Sequence, residues 1–323
     1  MMRRRVLGAM LLVAACGMAH AQPAAYPTRA IRMVIPFPTG GTTDIAGRLI
    51  AQRLSERLGQ PVVVENKPGA GGTAGTEIVA KSAPDGYTIV LGNSGALSVG
   101  VTLFPNLGYQ TLRDLAPITM IADSTVAMVV HPSVPANNLH ELVALAKQRD
   151  PPMTIAIASV GSIHHLLIEQ FKLDAKVKLT NIPYKGGGQA LIDLIAGTID
   201  INMDNVPALI GYIRAGQMRA VAVASAQRSD VLPQVPTVVE EGYPGLVASP
   251  WFAMMAPAKT PRPIVERLNR ELVAIMRSDD MKQRLQAAGA NPMWSTPEEC
   301  GTFIAAEIDR WARVIRESGA KIE

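Results

Sequence analysis

The hydrophobic positions of this chain follow two spacings that alternate along its length. Short runs rich in β-branched residues, such as 32–35 and 88–91, have the composition of buried strands. Between them, segments such as 42–58 repeat apolar residues every three or four positions, which predicts helices. Repetition of strand, helix and strand predicts a parallel sheet with right-handed crossovers.

The same alternation restarts after residues 126–130 and continues to about residue 224. It predicts a second α/β lobe. The chain then gives one more strand at 252–256 and two long helices, which we expect to pack back on the first lobe. We therefore predict a discontinuous first lobe at 22–127 and 251–323, a second lobe at 128–250, and a hinge where the chain crosses twice.

The first residues predict export. Three arginines at 3–5 precede an apolar stretch, and Ala19-His20-Ala21 then has the small-x-small pattern of a secretory cleavage site. We expect a signal peptide at 1–21 and a periplasmic product. A second interpretation is open, because the segment ending at Cys16 also has the pattern of a lipidation site that would tether the protein to a membrane.

Charge and cysteine content exclude several classes of partner. Without residues 1–21 the chain keeps 28 Lys and Arg against 27 Asp and Glu, so nucleic acid is not an expected partner. Only Cys300 then remains, which rules out an intrachain disulfide, and no Cys/His cluster suggests zinc. We predict no metal and no cofactor, and we expect a monomer.

Two glycine-rich loops of the first lobe have the composition of anion sites. In the loop at 36–44, Gly40 allows a close backbone approach, and Thr42 and Thr43 add hydroxyl donors beside the N–H groups that open the next helix. Asp44 is predicted to be a structural latch, because it can accept an N–H at the helix start.

The second loop, at 66–73, again joins a strand to a helix, and it has neither the Walker pattern nor a complete dinucleotide pattern. Either loop alone is better explained by ordinary turn chemistry. Two such loops in adjacent units favour a ligand site, because ligands of open α/β sheets bind outside the carboxyl ends of the strands.

The second lobe offers a matching set of strand-end groups. Ser162 is a predicted N-cap, His164 and His165 are interpreted as packing or hydrogen-bonding residues, and Asn205 could donate to a carboxylate. Lys67 and Lys185 are interpreted as solvated loop cations.

Patterns of catalysis are missing from the sequence. Ser94 lies outside any nucleophile-elbow motif, and Cys300 has no neighbouring His in sequence, so we interpret Cys300 as structural. We predict that the chain is not an enzyme, and a hydrolase whose groups converge only in space stays open as an alternative.

The motifs taken together resemble the Bug family, the periplasmic receptors of tripartite tricarboxylate transporters. The segments that carry the resemblance are 26–29 (YPTR), 36–44 (PFPTGGTTD), 63–72 (VVENKPGAGG), 84–88 (PDGYT), 183–187 (PYKGG), 232–237 (LPQVPT) and 256–261 (APAKTP). They extend over essentially the whole mature chain. The stretch around Ser159 and residues 249–252 depart from the family pattern, which leaves the exact ligand open.

The resemblance implies a two-lobed α/β fold of the type II periplasmic binding proteins (Venus flytrap), each lobe a mostly parallel sheet flanked by helices. It implies capture of a small mono-, di- or tricarboxylate for a transporter with a large and a small membrane subunit. A receptor that signals through a membrane sensor kinase is the alternative. The expected ligand-binding residues are Phe37, Thr39, Gly40, Thr42, Thr43, Asp44, Gly69, Ala70, Thr73, Ser94, Ser159, Ser162, Tyr184, Asp204 and Asn205.

Overall fold

Two β-sheets flanked by helices make up the part of the chain that the computed structural model describes, residues 26–37, 39, 42–158, 160–184 and 186–320. The first sheet has the strand order β11-β4-β10-β3-β1-β2. Its strands are β1 (Ile31–Ile35), β2 (Val62–Asn66), β3 (Thr88–Asn93), β4 (Leu115–Asp123), β10 (Trp251–Pro257) and β11 (Asn291–Pro292). The helices around it are α1 (Thr42–Leu58), α2 (Thr73–Ala80), α3 (Gly100–Leu103), α4 (Thr111–Asp114), α9 (Arg262–Met276), α10 (Asp279–Ala287) and α11 (Pro297–Ser318).

The second sheet has the order β7-β6-β8-β5-β9. Its strands are β5 (Val126–Val130), β6 (Thr154–Ile157), β7 (Thr180–Pro183), β8 (Ile201–Asn205) and β9 (Arg219–Val223). Its helices are α5 (Leu139–Gln148), α6 (Ile163–Ala175), α7 (Gly187–Ile195) and α8 (Val206–Arg214).

Most strands of each sheet run in one direction. In the first sheet β2 and β3 are parallel to β1, and β10 is antiparallel to both β3 and β4, so β4 shares the direction of β3. In the second sheet only β5 opposes its neighbours β8 and β9. The predicted two-lobed α/β fold with mostly parallel sheets is therefore confirmed. Strands β5 and β10, which each begin just after the chain crosses between sheets, run in the reverse direction, and so does β11.

The two crossings lie side by side. Only Ser124 and Thr125 separate β4 from β5, and the Ser124 N–H donates to the carbonyl of Pro250 in the returning segment, with 3.0 Å between N and O. The Asp123 carboxylate accepts from Ser249 Oγ at 3.0 Å and from Asn291 Nδ2 at 2.9 Å. The Asp123 carboxylate, at the end of β4, thus joins the second crossing to β11 beside the first crossing.

Strand direction makes the carboxyl edges of the two sheets face the same joint. Asp123 ends β4 at the edge where β1, β2 and β3 also end. The start of β5 at Val126 is paired with Asn205, the last residue of β8, and β6 and β7 run parallel to β8. Because two residues connect Asp123 to Val126, the strand-end loops of one sheet lie opposite those of the other.

The predicted packing stripe of α9 is confirmed, since Leu268, Leu272 and Met276 are fully buried in the first-lobe core. Helix α11 differs from the expectation that it packs on the first lobe alone. Its Ile304 belongs to a first-lobe core, whereas Trp311 is buried in the core of the second lobe. A 22-residue helix spans about 33 Å, which is long enough to reach both cores.

Glu307 lies on α11 between these two cores. Its Oε2 accepts hydrogen bonds of 2.9 Å from the indole nitrogens of both Trp251 and Trp311, which are themselves almost completely buried. Trp251 belongs to the first lobe and Trp311 packs on the second, so this carboxylate bridges them.

The described residues include no helix that is long and apolar enough to cross a membrane. The predicted signal peptide at 1–21 and the alternative lipidation site at Cys16 lie outside those residues.

Replacing Glu307 with Ala leaves two buried indole N–H groups without an acceptor. We expect the free energy of unfolding to fall by about 3 kcal/mol, measured by urea denaturation. Glu317→Ala, on an exposed position of the same helix, is the control and should change it by less than about 0.5 kcal/mol. Equal effects of the two variants would contradict a bridging role for Glu307.

Candidate functional site

The loop after β1 packs against the loop after β2. The carbonyl of Phe37 accepts from Asn66 Nδ2 at 3.0 Å, and a Cβ placed on Gly72 would lie 2.9 Å from Cζ of the Phe37 ring. Thr39 is exposed in the first loop. Gly40 lies outside the described residues, and of Thr42 only the backbone is described, as the first residue of α1. Thr43 follows it and is buried.

Asp44 ties the first turn of α1 to the end of β2. Its carboxylate is 2% exposed and accepts from Arg48 Nε at 3.0 Å and from Asn66 Nδ2 at 2.9 Å. These contacts hold the first turn of α1 against the end of β2. Arg48 lies one turn further along α1, so its charge offsets that of Asp44 beside the loop.

The loop after β2 turns through four successive residues with positive φ, from Gly69 (146°) and Ala70 (45°) to Gly72 (98°). Such a run is strained for residues with side chains, which explains the three glycines. Thr73 then opens α2, and its buried hydroxyl donates to the carbonyl of Ala70 at 2.9 Å. The Thr73 hydroxyl therefore holds the loop in shape.

A third strand-end loop, after β3, joins these two. Ser94 is buried, and its carbonyl accepts from Ser98 Oγ at 2.6 Å within a π-helical turn, Gly95–Val99. A Cβ on Gly95 would lie 3.7 Å from the carbonyl oxygen of Gly71. Three loops of the first lobe thus meet at one sheet edge, and Ser94 lies behind their surface.

In the second lobe, Ser162 caps α6 as predicted, with its Oγ accepting from the His165 N–H at 3.2 Å. The preceding loop is held by the same histidine, because the Gly161 N–H donates to His165 Nδ1 at 3.2 Å. His165 is buried, and burial lowers its pKa. Ser159 lies outside the described residues.

The loop after β7 approaches the end of β8. Tyr184 donates its hydroxyl to Asp193 Oδ2 at 2.8 Å, and partial burial together with that carboxylate raises the pKa of Tyr184 to about 12. The tyrosine therefore stays protonated and is bound to the helix of its own unit. A Cβ on Gly187 would lie 2.7 Å from Asp204 Oδ2, so α7 begins close to Asp204.

Asp204 and Asn205 end β8, and the Asn205 N–H donates to Asp204 Oδ1 at 2.7 Å. The Asn205 carboxamide oxygen lies 3.1 Å from His164 Nε2. His164 therefore belongs to the strand-end loops of the second lobe, as Arg48 and Asn66 belong to those of the first lobe. The sequence predicts packing or hydrogen bonding for His164, places Asn66 only at the start of the second glycine-rich loop, and indicates no role for Arg48. The i,i+4 spacing of Asp44 and Arg48 is the one signal that could have found any of them.

Chemistry by thiolate or metal has little support in the described residues. They contain no group of three His, Cys, Asp or Glu side chains that could hold a metal ion. Cys300 is fully buried, and burial raises the pKa of its thiol to about 12, which keeps it protonated and unreactive. The strand-end loops instead offer main-chain amides, hydroxyls and carboxamides.

A protein-family model described as the tripartite tricarboxylate transporter family receptor matches residues 46–320. The chain belongs to this receptor family. Protein BugT of Bordetella pertussis is 45% identical over 299 residues, which cover 92% of each chain.

Solved structures of periplasmic binding proteins and of carboxylate complexes are similar to this chain in both sequence and fold. A protein of R. palustris in complex with adipate is 36% identical, with a TM-score of 0.79 over 92% of this chain and 100% of that one. MatC from Rhodopseudomonas palustris with bound malate is 32% identical, with a TM-score of 0.73 over 90% of this chain and 100% of the other. The periplasmic binding protein BugD is 34% identical, with a TM-score of 0.75 over 92% of this chain and 100% of that chain.

Substituting Gly72 by Ala should distort the receptor's first-lobe loops. The new Cβ would meet the Phe37 ring and would force a non-glycine residue to a φ of 98°. We expect a loss of about 1–3 kcal/mol in the free energy of unfolding. Gly211→Ala, inside α8 with open space around it, is the control and should be neutral or stabilising. Unchanged stability in Gly72→Ala would contradict the described loop conformation.

Acidification should destabilise the receptor through its two adjacent histidines. Burial lowers the pKa of both His164 and His165 below the ordinary 6.5, while Glu169, 3.9 Å from His165 Nε2, opposes the shift at His165 and Lys172 adds to it. The unfolded chain then takes up protons first, so this stability is full above about pH 6.5 and is lost as the pH falls through the folded pKa values.

Urea denaturation between pH 7.5 and pH 5 measures this slope. His165→Asn keeps an acceptor near the Nδ1 position for the Gly161 N–H but cannot be protonated, so its stability should depend less on pH than that of the wild type. The same slope in both proteins would show that His165 is not a source of the acid sensitivity.

Proposed function

We propose that this chain captures a small carboxylate between its two lobes in the periplasm and presents it to the membrane subunits of a tripartite tricarboxylate transporter. The observation that carries the proposal is the meeting of three first-lobe strand-end loops beside a latched, charge-compensated Asp44. The titles of two similar structures name bound adipate and malate, which supports a carboxylate ligand here.

The first lobe supplies main-chain and hydroxyl donors, and its Arg48 is bonded to Asp44 and Asn66. Helices α1 and α2 begin in its two glycine-rich loops, so the N–H groups of their first turns and their positive dipole ends favour an anion there. The residues proposed to contact the ligand from this side are Phe37, Thr39, Gly40, Thr42, Thr43, Gly69, Ala70 and Thr73. Asp44 and Ser94 are proposed to shape the loops from behind.

The second lobe closes the site from the opposite edge. The proposed contacts are Ser159, Ser162 and Asn205, with Tyr184 and Asp204 beside them. A ligand that touches both lobes binds the closed arrangement more tightly, and this difference in affinity shifts the population toward closure. A closed receptor differs in surface from an open one, which gives a membrane partner a basis for recognising the loaded form.

A thermal-shift panel on the mature protein tests the ligand class. Malate and adipate are compared with their uncharged counterparts, dimethyl malate and adipamide, and with a sugar. A carboxylate at one hundred times its dissociation constant should add about 2.7 kcal/mol to stability, and its neutral counterpart should add nothing measurable. Stabilisation by sugars or by the neutral analogues alone would overturn the proposal.

Uptake assays separate transport from sensing. Cells that express the receptor with both membrane subunits should accumulate the labelled acid found in the panel, and cells without the subunits should not. Binding without any contribution to uptake would favour the alternative role as a ligand-sensing receptor for a sensor kinase.

A further inference from the structure

His164 contacts a residue of the proposed site from a neighbouring strand-helix unit. Its Nε2 lies 3.1 Å from Oδ1 of Asn205, and the two residues are half-buried at the carboxyl edge of the second sheet. His164 is in the first turn of α6 and Asn205 ends β8, so the contact joins two strand-end loops of this lobe.

The Asn205 side chain is held away from its own helix. Asn is among the preferred N-cap residues, yet the Asn205 side chain makes no capping hydrogen bond to α8, although Asn205 occupies the cap position. Its oxygen faces His164 instead. Within the described residues the Asn205 carboxamide has no other hydrogen bond, which leaves its NH₂ group as a donor without an acceptor there.

The tautomer of the neutral His164 ring decides which end of the Asn205 carboxamide is free. A neutral imidazole with hydrogen on Nε2 donates to Oδ1 and leaves the NH₂ group of Asn205 unpaired. The opposite tautomer would accept from the NH₂ group and leave the oxygen free. Burial lowers the pKa of His164, so the ring is neutral near pH 7 and only its tautomer has to be set.

The negative charge of Asp204 means that an anionic ligand needs a correctly oriented hydrogen-bond donor at this end of the second sheet. Asp204 lies beside His164 and Asn205, where its carboxylate favours the protonated form of His164 and repels any anionic ligand. If the carboxamide oxygen also faced the ligand, Asp204 and Asn205 would present only acceptors. An exposed NH₂ group gives a carboxylate a hydrogen-bond donor next to that negative charge.

We propose that His164 is a positioning residue that donates from Nε2 to Asn205 and thereby directs the Asn205 NH₂ group at the ligand. This inference rests on the proposed carboxylate-binding function and assigns the second-lobe donor of that site. His164 itself does not touch the ligand.

A matched set of variants tests the proposal by isothermal titration with malate and adipate. In His164→Gln the amide nitrogen can occupy the place of Nε2, whereas the shorter side chain of His164→Asn places its amide near Nδ1 instead. We expect the dissociation constant of His164→Gln to stay within about threefold of the wild type, and those of His164→Asn and Asn205→Ala to rise about tenfold. His140→Gln, at an exposed position of the same lobe, controls for the substitution itself.

The double variant His164→Asn/Asn205→Ala should bind no more weakly than Asn205→Ala alone, because both changes remove one interaction. Additive losses, or equal binding by His164→Asn and the wild type, would overturn the positioning role. If the wild-type protein binds neither malate nor adipate, the proposed function fails instead, and the two failures are thus distinct.

A ligand-free measurement tests the same inference. Long-range nitrogen–proton NMR correlation on the neutral ring distinguishes the two tautomers of His164. Hydrogen on Nε2 is the expected result. Hydrogen on Nδ1 would mean that Nε2 accepts from Asn205 and would overturn the proposal, whatever the protein binds.

Discussion

The two-residue connection between the sheets is the constraint on which the site depends. The connection through Ser124 and Thr125 can span no more than about 10 Å from Asp123 to Val126, so the end of β4 and the start of β5 must lie close together. Strand direction then places every parallel strand end of both sheets at the same joint. Asp123 reinforces this geometry, because its carboxylate holds Ser249 of the second crossing and Asn291 of β11.

The hydrogen-bond donors of the strand-end loops follow from that placement. Strand-end loops that open helices present N–H groups, and the first lobe keeps them available by compensating its own carboxylate, Asp44, with Arg48 and Asn66.

Periodicity was enough to predict the fold, because the strands are short apolar runs and the helices carry regular stripes such as Leu268, Leu272 and Met276. It also located the glycine-rich loops, whose positive φ values require glycine at Gly69 and Gly72. It could not find Asn66 as a partner of Asp44 or His164 as a partner of Asn205. Each of these contacts joins separate strand-helix units, and no local spacing encodes it.

The path of α11 could not be predicted for the same reason. Its apolar stripe reads as one continuous face, yet Ile304 is buried in one lobe and Trp311 in the other. The stripe predicts that one face of the helix is buried, but it does not predict which lobe buries it.

This path restricts how the lobes can move. The π-helical turn that follows Ser94 ends at Val99, and Val99 and Leu103 are buried in the second-lobe core together with Trp311. A rotation of one lobe against the other must therefore shift α11 and the segment from Ser94 to Leu103 relative to one of the two cores. Because packed cores change between discrete arrangements rather than deforming continuously, any such rotation would be coupled to the loop after β3 through this shared segment. Glu307 lies on α11 at this junction, where it accepts from Trp251 of the first lobe and from Trp311, one turn away on its own helix.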